Sequence, residues 1–181
     1  MVKPPPKMTT KVPSKVIAQD LQHAMHVLSS PHRIRGMDLR YRKIGDRGAE
    51  CLAEVLLENS SLQRLELDFN GISSGGAARL AEVLPKNSTL THLYLCHNAI
   101  DDEGAIHLAS ALEAGCALNQ LYLSGNRITC RGATATILAA LQKSGAVIDI
   151  DLSLQSVPED CIQEIRAALL ANVQTKAASR A

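Results

Sequence analysis

Aromatic side chains are scarce in this chain: three tyrosines, one phenylalanine and no tryptophan among 181 residues. An interior without large rings has to be filled by leucine and alanine, which favours thin repeated layers over a globule with one bulky core. A surplus of charge is also missing, since 19 lysines and arginines face 18 acidic residues. Dedicated nucleic-acid binders carry a basic excess, so no nucleic-acid partner is expected. No apolar run reaches the roughly 20 residues of a membrane span, and no secretory apolar core lies near the start. These absences lead to the expectation of a cytoplasmic protein without membrane insertion. The five cysteines, Cys51, Cys96, Cys116, Cys130 and Cys161, are odd in number and lack paired spacing. They read as reduced thiols rather than a disulfide framework.

Signatures of chemistry are missing too. There is no phosphate-cradling glycine loop with its lysine, no GxSxG elbow and no HExxH pair. His92, Cys96 and His97 invite a metal, but His92 and Cys96 are four residues apart on a strand, about 13 Å, too far to share one zinc ion. The expectation is a non-enzyme with no metal or cofactor.

What the chain has is a repeat. Near-copies begin at Ile34, Leu62, Leu90, Leu118 and Val147, the first three intervals being 28 residues and the last 29. The best copies read LQRLELDFNGISSGGAARLAEVLPKNST, LTHLYLCHNAIDDEGAIHLASALEAGCA and LNQLYLSGNRITCRGATATILAALQKSGA. Each changes period midway. Leu62, Leu65 and Leu67, then Asn70 and Ile72, turn inward around a short strand, and Ala77, Leu80, Ala81 and Leu84 follow at helical spacing. Asn70, Asn98 and Asn126 recur where a tight turn leaves backbone groups in need of partners. Arg42 and Gln155 take that place in the first and last copies, as expected for degenerate ends of a stack. Gly48, Gly76, Gly104 and Gly132 recur at the helix entrance, where a missing side chain permits close approach or an unusual backbone angle.

The expected organisation is a flexible Pro/Lys-rich tail over 1–13, an N-terminal helix over 14–30, about five repeats over 31–157, and a C-terminal capping helix and tail over 158–181. Ser14 is a plausible N-cap for the first helix, Val16, Ile17, Leu21, Met25 and Leu28 its apolar side, and Pro31 its stop. Cys161, Ile162, Ile165, Leu169 and Val173 form the apolar stripe of the last helix. Two such end helices can shield apolar cross-sections of the stack.

The pattern LxxLxLxxNxI followed by xxxGAxxLAxxL, covering roughly residues 34–157, resembles the ribonuclease-inhibitor-like subfamily of leucine-rich repeats. The resemblance implies an α/β fold: a right-handed solenoid with a parallel sheet on its concave side and helices on its convex side. It also implies protein binding, since members include ribonuclease inhibitors, sensing regions of intracellular immune receptors and activators of Ran-type GTPases.

Stacking the copies turns the sequence into columns. Asp38, Glu66, Tyr94, Tyr122 and Asp151 form the outward column between the strand leucines, with Gly36, Arg64, His92, Gln120 and Asp149 before it. Arg40, Asp68, Cys96, Ser124 and Ser153 follow, and Tyr41, Phe69, His97, Gly125 and Leu154 flank the strand ends. All four aromatics fall on this face or its edge, and exposed aromatics are enriched at binding hot spots. Tyr94 and Tyr122 should lie about 4.8 Å apart. The expected protein-binding site comprises Arg40, Tyr41, Arg64, Glu66, Asp68, Phe69, His92, Tyr94, Cys96, His97, Gln120, Tyr122, Asp149 and Asp151. Arg33, Arg35, Arg40, Arg42, Lys43 and Arg47 gather near the first repeat and Asp149 and Asp151 mark the last, so a partner with an acidic patch is expected at the first end. The function expected is a protein-binding adaptor or effector. A regulator of a small GTPase, acting through turn arginines such as Arg42, Arg47 or Arg127, and a structural subunit of a larger assembly are the alternatives.

Overall fold

The computed structural model describes residues 19–29, 34–129, 149–153 and 158–178. Its elements run α1 (Gln19–Ser29), β1 (Gly36–Asp38), α2 (Gly45–Glu58), β2 (Arg64–Glu66), α3 (Ser74–Val83), β3 (His92–Tyr94), α4 (Asp102–Glu113), β4 (Gln120–Tyr122), β5 (Asp149–Asp151) and α5 (Glu159–Ala178). The strands form one parallel sheet in sequence order, β1-β2-β3-β4-β5. Met37, Leu65, Leu93, Leu121 and Ile150 stand in register across it. The mixed α/β architecture is that expected of stacked strand–helix repeats.

Strands of three residues stay short because only the central position is inward. Leu65, Leu93 and Leu121 are fully buried, as are Leu67, Leu95 and Leu123 just beyond each strand. Helices α2, α3 and α4 pack against one another in series and close this leucine layer with Leu52, Leu56, Leu80, Leu108 and Leu112. Small alanines at Ala49, Ala77 and Ala105, all fully buried, let each helix sit close to the leucines. The recurring glycines serve close approach. A Cβ on Gly76 would stand 2.8 Å from Ile72 and 3.0 Å from the Asp46 backbone, and one on Gly104 would stand 2.6 Å from Ile100.

The asparagine column joins each repeat to its predecessor. Asn98 Oδ1 accepts from the backbone N–H of Asn70 and Ile72, while its amide donates to the carbonyls of Leu67, Leu95 and Cys96. Asn70 accepts likewise from Arg42 and Ile44 and donates to Leu39. Asn126 accepts from Ile100 and donates to Leu95 and Leu123. Residue 42 needs no asparagine because β1 is the sheet edge, with no earlier turn among the described residues to bond.

A second asparagine column lies at the helix exits. Asn87 donates to the carbonyls of Leu56 and Asn59 and accepts from Thr89 and Leu90. Asn59 does the same toward Leu28, Ser61 and Leu62. The next copy has Gly115 there, with φ of 85°, so the chain turns by backbone freedom instead.

At the first end, α1 packs on α2 and buries Leu21, Ala24 and Leu28, with Met25 partly buried. The expected Ser14 cap, Val16, Ile17, Pro31, the tails and the helical stretch after Arg127 lie outside the described residues. At the other end, α5 contacts β5, with Cys161 and Ile162 half-buried and Leu170 exposed. Among the described residues no helix is long and apolar enough to cross a membrane.

Candidate functional site

Among the described residues the side of the sheet opposite the helices is open, and its central feature is a row of four side chains running across strands. Tyr94 on β3 and Tyr122 on β4 stack with centroids 4.7 Å apart and planes 3° from parallel. The in-register pairing of Tyr94 with Tyr122 produces this contact, at the spacing the repeat predicts. Arg64 extends the row on one side: its guanidinium carbon is 5.3 Å from the Tyr94 ring centre and it donates to the Tyr94 hydroxyl at 2.9 Å. Asp149 extends it on the other, accepting from the Tyr122 hydroxyl at 2.6 Å. Partial burial and the bond to Asp149 both push the Tyr122 phenol above its ordinary value. The row is thus fixed in position before any partner arrives, which lowers the ordering cost of binding.

The charged residues beside the row pair with one another. Arg40 donates two bonds to Asp38, at 2.9 and 2.7 Å, and lies 3.1 Å from Glu66. Glu66 also stands 4.0 Å from Arg64. The Arg40 side chain holds the Asp38 carboxyl down to about 2. Arg40 and Arg64 are therefore engaged by neighbours on the same face. The reason is local: residues two apart on a strand share a face, so Asp38 and Arg40 meet. Neither guanidinium is buried, so these exposed pairs contribute orientation more than stability.

The strand-end column forms a second aromatic array. Tyr41 and Phe69 stack at 4.5 Å, and Phe69 and His97 at 4.2 Å, with interplanar angles of 12° and 13°. All three adopt left-handed backbone, with φ of 60°, 57° and 52°, and Gly125 continues the series at 69°. A side chain at residue 125 would strike the His97 ring, a Cβ standing 2.5 Å from its Nδ1. Bulky residues rarely take this conformation, and the turn imposes it at this position in each of the four repeats. Tyr41 is 67% exposed and Phe69 41%, so Phe69 does not fill a gap in the interior.

The remaining site residues fall around these two arrays. Asp68 is half-buried, accepts from the Cys96 backbone N–H at 2.7 Å, and is pushed up by burial. Cys96 is pushed up to about 12 by burial and then by Asp68. His92 bonds the Thr91 hydroxyl at 2.8 Å, Gln120 is half-buried between His92 and Asp149 in register, and Asp151 accepts from the Ser153 backbone at 2.9 Å. Ser124, placed outward by spacing, is buried against Ser153. Leu154 and Arg33 lie outside the described residues.

Sequence reasoning missed three features. The inclusion of His97 in a stack follows from the 28-residue column, but the shared left-handed turn that builds it has no signature in residue type. The helix-exit asparagines were legible as NSSL at 59–62 and NSTL at 87–90. The carboxylate clamps at the helix entrances, Asp46 on Ser73 and Asp102 on Thr129, escaped because they bridge consecutive repeats at slightly shifted positions.

Comparison with known proteins agrees with this geometry. The family model described as "Leucine Rich repeat" matches residues 58–81 and 86–109. No curated protein matches the sequence. Among solved structures, the chain is similar to leiomodin-1 actin-binding site 2, with a TM-score of 0.76, 18% identity, and 88% of this chain and 91% of that one covered. It is also similar to the C-terminal domain of tropomodulin from Caenorhabditis elegans, with a TM-score of 0.73, 14% identity, and coverage of 89% and 98%. At these identities the likeness is one of fold.

Proposed function

Taking as premise that the chain is a leucine-rich-repeat protein, we propose that it binds another protein through the open face of its sheet, as an adaptor or effector. The observation that carries this reading is the cross-strand row Arg64–Tyr94–Tyr122–Asp149. A chain with only four aromatics sets two of them in a rigid stack on its open side and the other two in the array at its edge. Tyrosine provides large apolar contact area together with a polar tip, and few rotatable bonds have to be frozen on binding. A broad polar-rimmed surface with central aromatics suits a protein partner.

The structural likeness to leiomodin-1 actin-binding site 2 makes actin the first candidate to assay. Binding to purified actin and retention of proteins from cell lysate should be compared for the wild type and the Tyr94→Ala/Tyr122→Ala variant, after thermal melts show both folded. Loss of a retained partner in the variant supports the reading. Equal retention by both moves recognition to the helices and favours the structural-subunit alternative. A GTPase among the retained proteins, with hydrolysis accelerated and dependent on Arg42, Arg47 or Arg127, favours the regulator alternative.

A further inference from the structure

Among the described residues, the open face has more negative charge than its partners neutralise. Its outward strand positions include five carboxylates, Asp38, Glu66, Asp68, Asp149 and Asp151, against two guanidinium groups, Arg40 and Arg64. Both cations sit at the β1–β2 end, and both are engaged by face residues: Arg40 by Asp38 and Glu66, Arg64 by the Tyr94 hydroxyl and, more distantly, Glu66. At the β4–β5 end, Asp149 and Asp151 are in register with Gln120 and Tyr122. Asp149 accepts from the Tyr122 phenol and Asp151 from the Ser153 backbone N–H, and neither makes an ion pair among the described residues. Arg166 of α5 lines a small cavity with Asp151, and its ion pair is with Glu159 at 3.8 Å.

Resting on the reading that this face binds protein, we infer that the partner presents a basic segment, with arginine or lysine side chains lying over Tyr122 and pairing with Asp149 and Asp151. The fold already contains the interaction once: Arg64 lies over Tyr94 and bonds its hydroxyl. On the far side of the same stack, the corresponding place next to Tyr122 has carboxylates that make no ion pair among the described residues. A partner guanidinium there gains both cation–π contact and charge pairing. Tyr94 to Asp151 spans two strand spacings, about 10 Å, which three or four extended residues cover. This reverses the polarity expected from the sequence, in which the basic cluster of the first repeat steered an acidic partner. Of that cluster, Arg42 and Lys43 lie in the turn after β1 and Arg47 in α2, and Arg40 on the sheet face is already paired.

The probe is a short arginine–serine peptide, with the glutamate–serine peptide of equal length as control. Intrinsic tyrosine emission can follow binding because the chain has no tryptophan. The expected result is salt-sensitive binding of the basic peptide only, weakened roughly tenfold in the Asp149→Asn/Asp151→Asn variant. Asparagine retains the acceptor oxygens for Tyr122 and Ser153, so the row stays in place. Preference for the acidic peptide, absence of binding, or unchanged affinity in the variant overturns the inference. If the tyrosine double variant loses a lysate partner that the asparagine variant keeps, the face reading stands and the basic-partner inference fails. If both variants keep that partner, the face reading itself fails.

Discussion

Residues 70, 98 and 126 and residues 66, 94 and 122 recur at the same interval, four positions apart in each repeat, yet the two columns are used in opposite ways. The first is asparagine each time, and Asn98 alone makes five bonds to backbone groups of its own and the preceding repeat. The second changes from glutamate to tyrosine to tyrosine, and between Asp38 and Asp151 it is flanked by residues that also change. A position whose side chain is consumed by the backbone has one solution, so the repeat enforces it. A position facing outward is constrained only by strand geometry, and its residue type is free to serve recognition. The contrast between a uniform inward column and a varied outward one separates scaffold from site here more clearly than residue type alone.

Substitutions at neighbouring positions can break this contrast. Leu93→Ala, which empties a fully buried site, should lower unfolding stability by about 3 kcal/mol or more in denaturant titration. Asn98→Ala should cost roughly 2–4 kcal/mol, because two backbone donors and three carbonyls lose their partner. Tyr94→Ala should cost about 1 kcal/mol, the worth of an aromatic pair beyond its area, while partner affinity falls much further. If Tyr94→Ala destabilises as much as Asn98→Ala, the tyrosine row is scaffold and the contrast collapses.

Titration sharpens the same comparison on a finer scale. The Tyr122 phenol is raised above its unfolded value near 10, so its protonated form is favoured by folding. Its contribution is fully present below pH 10 and is lost as pH rises through the folded value. Phenolate absorbance should therefore show one tyrosine ionising late, and Asp149→Asn should bring it earlier. The Cys96 thiol, pushed up to about 12, should alkylate far more slowly at pH 8 than an unfolded cysteine, and equal rates would show that this edge opens readily.

Much of this was legible in the sequence. The 28-residue period placed all five strands, the inward leucines and the outward columns, because helix and strand periods alternate in each copy and only one stacking brings the asparagines into line. The Tyr94–Tyr122 contact followed directly from that register. The charge state of the face did not. The bonds of Arg40 to Asp38 and Glu66 depend on side-chain direction, which a tally of basic residues near the first repeat ignores. The left-handed turns at Tyr41, Phe69 and His97 were likewise hidden, since aromatic residues ordinarily signal strand rather than positive φ.

Hydroxyl-radical footprinting of the chain with a captured partner tests the central claim most directly. The account predicts protection of Tyr94 and Tyr122 on the sheet, with Leu57, Ile106 and Leu170 on the helices, all exposed in the free chain, oxidised as before. Protection of those helical residues with Tyr94 and Tyr122 left reactive would contradict it.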